Sequence, residues 1–190
     1  LDVEFRSLEF LWSGGIRCVP RPVAADRDRG WAVYEYVEGR GVPSPDITAD
    51  DIDRADDFLG TLAGFRDREE SRTLPAASEA CFSVQGILDS IGGRLNRLSQ
   101  VGASDQGNAD LQAFLGRELV PFVDEATRWA TSRAQAAGKA PDSELDLRSR
   151  TLSPSDFGFH NALRLDDGSV VFVDFEYFGW DDPAKMISDF

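Results

Sequence analysis

The sequence lacks the features that mark secreted, membrane-spanning and cysteine-stapled proteins. Only two cysteines, Cys18 and Cys81, occur among its 190 residues, so neither a disulfide framework nor a cysteine metal site is expected. We predict that both are buried free thiols in a reducing cytoplasm. No apolar run approaches the roughly 18 residues that span a bilayer. Because Asp2, Glu4 and Arg6 interrupt the N-terminal stretch, we expect neither a signal peptide nor a membrane partner.

Basic residues are scarce relative to acidic ones. Lys and Arg number 20 against 34 Asp and Glu, which gives a formal net charge of -14. We therefore expect no nucleic-acid partner, because a phosphate backbone is bound mainly through Lys and Arg. An acidic balance has two explanations, solubility or a cleft that attracts a cationic substrate such as an amine. Net charge alone does not choose between them.

Hydrophobic periodicity predicts a mixed segment followed by a mainly helical block. Apolar residues at helical spacing predict helices over residues 2–13, 48–66, 84–98 and 109–137. Extended patterns, the first broken by prolines, predict strands over 16–24 and 31–37. Pro121 is expected to kink the longest helix or to mark a boundary within it. We predict an α+β fold with one lobe over 1–47 and another over 48–190.

A hairpin flanked by polar loops is predicted near the C-terminus. The turn sequence Asp-Asp-Gly at 166–168 separates two short apolar runs, which is typical of a β-hairpin. Asp156 and Asn161 lie in the loop before this hairpin, and Asp174 follows its second strand. One carboxylate that accepts a proton and two hard oxygen ligands for magnesium are what phosphoryl transfer needs. A single loop Asp is usually a turn residue, but the joint spacing favours a phosphotransfer site.

The sequence around these residues resembles the catalytic and metal-binding loops of a family of small-molecule kinases. The runs Ser-Pro-Ser-Asp-Phe-Gly-Phe-His-Asn at 153–161 and Val-Asp-Phe-Glu at 173–176 are similar to those of aminoglycoside phosphotransferases and choline kinases. The resemblance implies a protein-kinase-like fold, with Asp156 as catalytic base and with Asn161 and Asp174 as ligands of Mg²⁺. It also implies ATP, or alternatively GTP, as phosphate donor. The acceptor would be a hydroxyl of an aminoglycoside, a choline-like alcohol, a sugar or an amino alcohol.

The resemblance extends more loosely to the first 39 residues. Glu4 matches the helix residue that pairs with the ATP-binding Lys, and the backbone at Glu35 and Val37 matches the hinge that holds adenine. The resemblance implies a partial N-lobe without the Gly-rich loop and the Lys, followed by a helical C-lobe with the catalytic hairpin. Because the chain lacks an initiator Met and both ends fall inside helical patterns, we expect a fragment cut at both ends.

Two positions depart from the family pattern. Pro154 stands where the family usually has His, and Met186 stands where an Asp usually follows the Asp-Pro pair. These departures leave a second interpretation open, a kinase-like binding module without turnover. The intact set of Asp156, Asn161 and Asp174 favours an enzyme over this alternative.

Three further features have a structural and a functional interpretation. We interpret His160, the only histidine, as a structural member of its loop rather than as an acid–base group. The acidic residues of 50–57 are interpreted as a solvated helix face near a helix N-terminus. The aromatic residues of 175–180 either pack in the core, which we favour, or form a box for a quaternary ammonium group.

Overall fold

The computed structural model describes residues 2–102 and 106–190, and the chain divides into two units. The first unit combines the residues up to Ala80 with Asp146–Phe190, and the second unit is Cys81–Leu145. The first unit mixes helices with small antiparallel sheets, which confirms the predicted α+β class. The lobe boundary predicted at residue 47 lies inside this unit and stays a prediction.

The first unit begins with a helix that packs one face into the core. Its N-terminal elements are α1 (Asp2–Ser13), β1 (Pro22–Asp26), β2 (Trp31–Tyr34) and β3 (Arg40–Gly41). The helix buries Phe5, Leu8 and Leu11 at helical spacing. It ends before Gly15, whose φ of 93° suits a residue without a Cβ at a helix C-terminus. The predicted helix over residues 2–13 is confirmed.

Strands β1 and β2 pair in an antiparallel hairpin. The extended segment predicted over 16–24 becomes a strand only toward its end. Its first part forms no strand, and there the carbonyl of Pro20 accepts a hydrogen bond from the indole Nε1 of Trp12 at 3.0 Å. The strand predicted over 31–37 is also shorter, since β2 ends at Tyr34. The residues after it form the connection to β3.

Helix α2 (Ala49–Phe65) confirms the helix predicted over 48–66. Thr48 caps its N-terminus in a reciprocal capping box: its Oγ1 accepts from the Asp51 N–H at 3.3 Å, while its own N–H donates to the Asp51 carboxylate at 2.8 Å. The side chains that α2 buries include the apolar residues Ala55, Phe58, Leu62 and Phe65.

The C-terminal half of the first unit contains the predicted hairpin. Its elements are β4 (Thr151–Ser153), β5 (Ala162–Arg164), β6 (Val170–Phe172), β7 (Gly179–Asp181) and α6 (Pro183–Asp189). Strands β5 and β6 pair antiparallel, as predicted, and β3 adds to the other edge of β5. Strand β4 pairs with β7, so the residues before the first polar loop lie beside the residues after the second. This pairing brings the two loops to one region of the unit.

The second unit is helical, with α3 (Val84–Ser99), α4 (Gln106–Phe114) and α5 (Val120–Ala136). The single helix predicted over 109–137 is divided by a π-helical turn at Leu115–Leu119. Pro121 lies at the start of α5. Because proline has no N–H to donate, the regular helical bond is lost there and the helix is interrupted just before it. Pro121 therefore marks the predicted boundary. Along the described ranges, no helix combines the length and apolar character that crossing a membrane requires.

Cys18 is more exposed than the sequence suggested, and Met186 lies in the core. Cys81 is buried, as predicted, whereas Cys18 is half-buried, because it borders a groove open to solvent beside α2. Burial raises the pKa of the Cys18 thiol. Met186 is buried in α6, so an apolar contact replaces the carboxylate of the family pattern at this position.

The acidic residues of 50–57 are not uniformly solvated, so this interpretation is wrong for one of them. Asp51 is only 2% exposed, and its carboxylate accepts from Thr48 and pairs with the guanidinium of Arg164. Burial by itself would raise the pKa of Asp51, but the hydrogen bonds from Thr48 and the charge of Arg164 lower it. Arg164 also donates to the carbonyl of Asp46 at 3.0 Å. The N-terminus of α2 is thus bonded to the β5–β6 hairpin.

Replacing Asp51 by Ala is expected to lower the free energy of unfolding by about 2–4 kcal/mol. The change removes a helix cap and the buried partner of Arg164. Asp50, which pairs with Arg54 on the surface, provides the control, and Asp50→Ala should cost less than about 1 kcal/mol. Urea unfolding measures both variants.

The pH dependence of the loss in unfolding free energy caused by Asp51→Ala is a second check. The pKa of Asp51 is lowered in the folded protein, so its stabilising effect should be complete above the unfolded pKa of about 4. It should fade as the pH falls through the folded pKa. If the Asp51 and Asp50 variants lost the same free energy of unfolding, the stabilising role of the buried Asp51–Arg164 pair would be contradicted.

Candidate functional site

The loop between β4 and β5 presents Asp156 to solvent and buries the residues on either side of it. The ring of Phe157 is buried, with its centroid 4.8 Å from that of Phe172 and 5.4 Å from that of Phe58. On the other side, Ser155 is also buried. The side chain of Asp156 is 56% exposed. The loop is therefore anchored by its neighbours while the carboxylate stays accessible.

Two side chains of the same loop contact Asp156. Nδ2 of Asn161 donates to the Asp156 carbonyl at 2.9 Å and lies 3.5 Å from its carboxylate. Nε2 of His160 lies 3.2 Å from Oδ1 of Asp156. His160, interpreted as structural, thus touches the candidate base itself and holds its carboxylate in place. With Nδ2 turned toward Asp156, Asn161 keeps its amide oxygen as the ligand atom that the resemblance implies.

Asp174 is brought to this loop by the end of strand β6. The N–H of Val173 donates to the carbonyl of Asn161 at 2.8 Å, so the end of the first polar loop lies beside the start of the second. Asp174 has a φ of 68°. This left-handed conformation is uncommon for residues other than glycine, although Asp tolerates it, and such strain concentrates at functional sites.

Negative charge is concentrated around Asp174. Burial raises the pKa of its carboxyl, the charges of Glu176 and Asp156 raise it further, and His160 acts in the opposite direction. A hydrogen bond to Glu176 and the charge of Glu176 also raise the pKa of Tyr177. The carboxylates of Asp156 and Asp174 therefore lie within electrostatic reach of each other. The structure brings these two residues together, as the sequence predicted, while their roles stay predictions.

The donor set of this site fits magnesium. Asp174 and Asn161 supply a carboxylate and an amide oxygen, the hard ligands that Mg²⁺ prefers. Among residues 2–102 and 106–190, no three His, Cys, Asp or Glu side chains gather as a ready metal cluster. Mg²⁺ does not require one, because it usually takes one or two carboxylates and completes its octahedron with phosphate oxygens and water. The like charges around Asp174 also fit, since a cation would relieve them.

The residues predicted to contact the nucleotide lie on α1 and in the connection from β2 to β3. Glu4 accepts a hydrogen bond from the hydroxyl of Tyr34 at 3.0 Å. Burial and the charge of Glu4 raise the pKa of Tyr34 above its ordinary value. Glu35, exposed, and Val37, half-buried, lie in the connection from β2 to β3. Among the residues that the structure describes, no hydrogen bond joins Glu4, Glu35 or Val37 to the Asp156 loop, and their nucleotide-binding roles stay predictions.

Tyr34 is a contact that sequence reasoning missed. It lies on the same face of β2 as Ala32, two residues earlier, and this face is half-buried while Trp31 and Val33 are exposed. That alternation is the signal that could have indicated a partner on α1. The hydroxyl orients Glu4 and links α1 to β2.

The aromatic residues of 175–180 do not form a box around an open site. Phe175, Phe178 and Trp180 are buried, and only Tyr177 among them is exposed. Their rings complete the core under the loop that carries Asp174. Core packing, the interpretation favoured from the sequence, is confirmed.

Two solved structures share the fold of this chain. Over 97% of its length, the chain is similar to spectinomycin phosphotransferase APH(9)-Ia in an AMP-bound complex, with a TM-score of 0.65 and 12% sequence identity. Over 97% of its length the chain is also similar to that enzyme in complex with ADP and spectinomycin, with a TM-score of 0.64 and 13% sequence identity. The chain spans 58% and 55% of those two chains.

The likeness at this level of identity shows the fold. The predicted protein-kinase-like architecture of aminoglycoside phosphotransferases is confirmed. The sequence matches no protein-family model and no curated protein. The residues of the site, rather than a close relative, therefore carry the argument about function.

Proposed function

We propose that the protein transfers the γ-phosphate of ATP to a hydroxyl group of a small molecule. The observation that carries this proposal is the convergence of Asp156, Asn161 and Asp174 from two adjoining loops, within a fold shared with a phosphotransferase. A half-exposed carboxylate beside two oxygen ligands for a cation is the arrangement that phosphoryl transfer uses. Fold alone would not support the activity, because one fold hosts many functions.

Asp156 is the base in this proposal. Its carboxylate accepts the proton of the acceptor hydroxyl as the oxygen bonds to the γ-phosphorus and the bond from phosphorus to ADP breaks. His160 and Asn161 hold the loop so that this carboxylate faces the acceptor. Asn161 and Asp174 are the residues that would hold Mg²⁺, which supplies neutralisation of the phosphate charge when bound.

The nucleotide is proposed to lie against the connection between β2 and β3. The backbone at Glu35 and Val37 would hold the purine, and Glu4 would orient a nucleotide-binding Lys as the family resemblance implies. Tyr34 supports this assignment of Glu4, because its hydroxyl fixes the carboxylate at 3.0 Å. ATP is the proposed donor, with GTP as the alternative.

The helical unit by itself contains a groove with a partly polar lining. It lies between α3 and α5 and has a volume of about 440 Å³, which is within the range of about 300–1,000 Å³ typical of small-molecule sites. Its lining includes the carboxylates of Asp89 and Asp124 and the amides of Gln85 and Asn96. These groups suit hydroxyl and amine groups of an aminoglycoside, an amino alcohol or a sugar.

Magnesium-dependent transfer of phosphate from ATP is the expected result for the full-length protein. The test is a panel of small alcohols, amino alcohols, sugars and aminoglycosides with radiolabelled ATP, run with Mg²⁺ and with a chelator. Labelled product that appears only with Mg²⁺ supports the enzyme. Nucleotide binding by thermal shift, together with no transfer to any acceptor, would favour the binding module without turnover.

A further inference from the structure

The two loops of the candidate site are joined by a third segment, residues 75–78. On one side, this segment bonds the loop that carries Asp174: the N–H of Ser78 donates to the Tyr177 carbonyl at 3.0 Å, and the N–H of Ala77 donates to the Trp180 carbonyl at 2.8 Å. The N–H of Trp180 returns a bond to the Pro75 carbonyl at 2.9 Å. Ala76 forms an isolated parallel bridge with Trp180, so the segment runs alongside β7 and the end of the loop that carries Asp174.

On its other side, the same segment bonds the loop that carries Asp156. The hydroxyl of Ser155 donates to the carbonyl of Ser78 at 2.9 Å, across 77 positions of sequence. The N–H of Ser155 donates to Oγ of the buried Ser153 at 3.0 Å. Ser78 is thus bonded to both loops, through its N–H to one and through its carbonyl to the other.

The conformation of Ser155 requires these bonds. Its φ is 72°, in the left-handed region that a serine rarely adopts. Such a conformation persists only where the surroundings fix it. Ser155 is buried, and its hydroxyl and N–H are both bonded, so the residue immediately before Asp156 is held in one strained geometry.

The close approach of residues 75–78 to the metal-binding loop depends on Gly179. A Cβ at this position would lie 2.5 Å from the N of Ala77 and 2.5 Å from the carbonyl oxygen of Pro75. Both are backbone atoms that cannot move independently. The close backbone contact therefore depends on a residue without a Cβ at position 179.

We propose that Ser155 is the positioning residue for Asp156, and that residues 75–78 couple the loop of Asp156 to the loop of Asp174. Pro154 has no side-chain donor and no N–H, and its carbonyl accepts from the N–H of Asp156 at 3.2 Å, a bond within the same loop. The hydroxyl of Ser155 bonds this loop to Ser78, and the N–H of Ser78 bonds the second loop. The effect on turnover rests on the proposed function, whereas the coupling of the loops does not.

The first test of the positioning role is kinetic and uses the full-length protein. Ser155→Ala should lower kcat by about 10- to 100-fold, as a slight misplacement of a reacting group does, with the nucleotide Kd unchanged. Ser155→Gly, which removes the hydroxyl and tolerates the positive φ, should show the same loss if the hydroxyl matters rather than strain. Ser7→Ala, a buried serine whose hydroxyl bonds within α1, is the control and should retain kcat.

A double-mutant cycle separates positioning from general damage. In an Asp156→Asn background, Ser155→Ala should cause no further loss of kcat, because it acts through the missing carboxylate. The same fold loss in both backgrounds, or an unchanged kcat in Ser155→Ala alone, would overturn the positioning role.

Amide hydrogen exchange tests the coupling without any activity. Ser155→Ala should speed exchange at the Ser78 and Trp180 amides, which Ser155 does not itself bond, as well as in its own loop. Ser7→Ala should affect α1 alone. Faster exchange confined to residues 153–158 would overturn the coupling even in an active enzyme. An inactive wild-type protein that nevertheless shows the coupled exchange would contradict the proposed function and leave the coupling supported.

Discussion

Asp156→Asn in the full-length protein is expected to lower kcat by about 10²- to 10⁴-fold while leaving the nucleotide Kd unchanged. As base, Asp156 meets the acceptor hydroxyl and not the nucleotide, so its charge contributes to the transition state alone. Such a loss corresponds to roughly 3–5 kcal/mol of barrier. Asn keeps the size of the side chain and most of its hydrogen bonding, including a contact to His160, so the change isolates the charge. Single-turnover rates and nucleotide affinity, measured on the same preparation, provide the check.

Asp166 supplies the matched control for this experiment. It is exposed in the turn of the β5–β6 hairpin, so Asp166→Asn removes a nearby charge of the same kind. Its kcat should stay at the wild-type value. An unchanged kcat in Asp156→Asn would remove Asp156 from the role of base. A loss of folding in that variant, seen by circular dichroism, would instead identify it as a structural loop residue.

Local signals explain which elements the sequence could predict. The helical spacing of apolar residues over 48–66 located both ends of α2 within one residue. The Asp-Asp-Gly turn predicted the hairpin, and Gly168 adopts the positive φ of 80° that such a turn needs. Asp156, Asn161 and Asp174 could be placed together because a hairpin of known length separates them. Each of these signals lies within a few residues of the feature it predicts.

Contacts between distant parts of the chain explain what the sequence did not show. The acidic pattern of 50–57 looks solvated along the helix, and nothing local indicates that Arg164 reaches Asp51 from a strand more than a hundred residues later. The hydroxyl of Ser155 finds its acceptor on Ser78, 77 residues earlier in the sequence. The ends of the strands were also predicted wrongly. Strand pairing depends on which backbone carbonyls already accept from other donors, and the carbonyl of Pro20 accepts from the indole of Trp12.

The alternatives for the aromatic residues illustrate the same limit. Phe175, Phe178 and Trp180 have a spacing that is compatible with an exposed box or with a core. Only the tertiary structure distinguishes them: the ring of Phe58 on α2 lies 6.1 Å from that of Phe175 and covers this side of the loop. The buried rings in turn fix the backbone from which Asp174 projects. The loop is thus held in place by ring contacts that no local sequence motif indicates.

Asp174→Asn is expected to abolish the dependence of nucleotide binding on magnesium and to reduce turnover below detection. The carboxylate is the only charged ligand among the two proposed for Mg²⁺, and an amide oxygen binds this hard cation far more weakly than a carboxylate does. Asn tolerates a φ of 68° about as well as Asp, so the backbone at this position should be retained. Isothermal titration with ATP, with and without Mg²⁺, measures the effect directly.

The stability of the same variant separates a metal ligand from a structural residue. Asp174 lies among like charges from Glu176 and Asp156, which with burial raise its pKa. Removing its charge relieves that repulsion, so the free energy of unfolding without metal should be unchanged or slightly higher. Glu176→Gln removes a neighbouring charge without removing the proposed ligand, so it should weaken magnesium-dependent binding much less. If both variants weakened magnesium-dependent nucleotide binding equally, Asp174 would contribute only its negative charge and not a specific ligand. Normal turnover of Asp174→Asn at saturating Mg²⁺ would exclude Asp174 as a ligand.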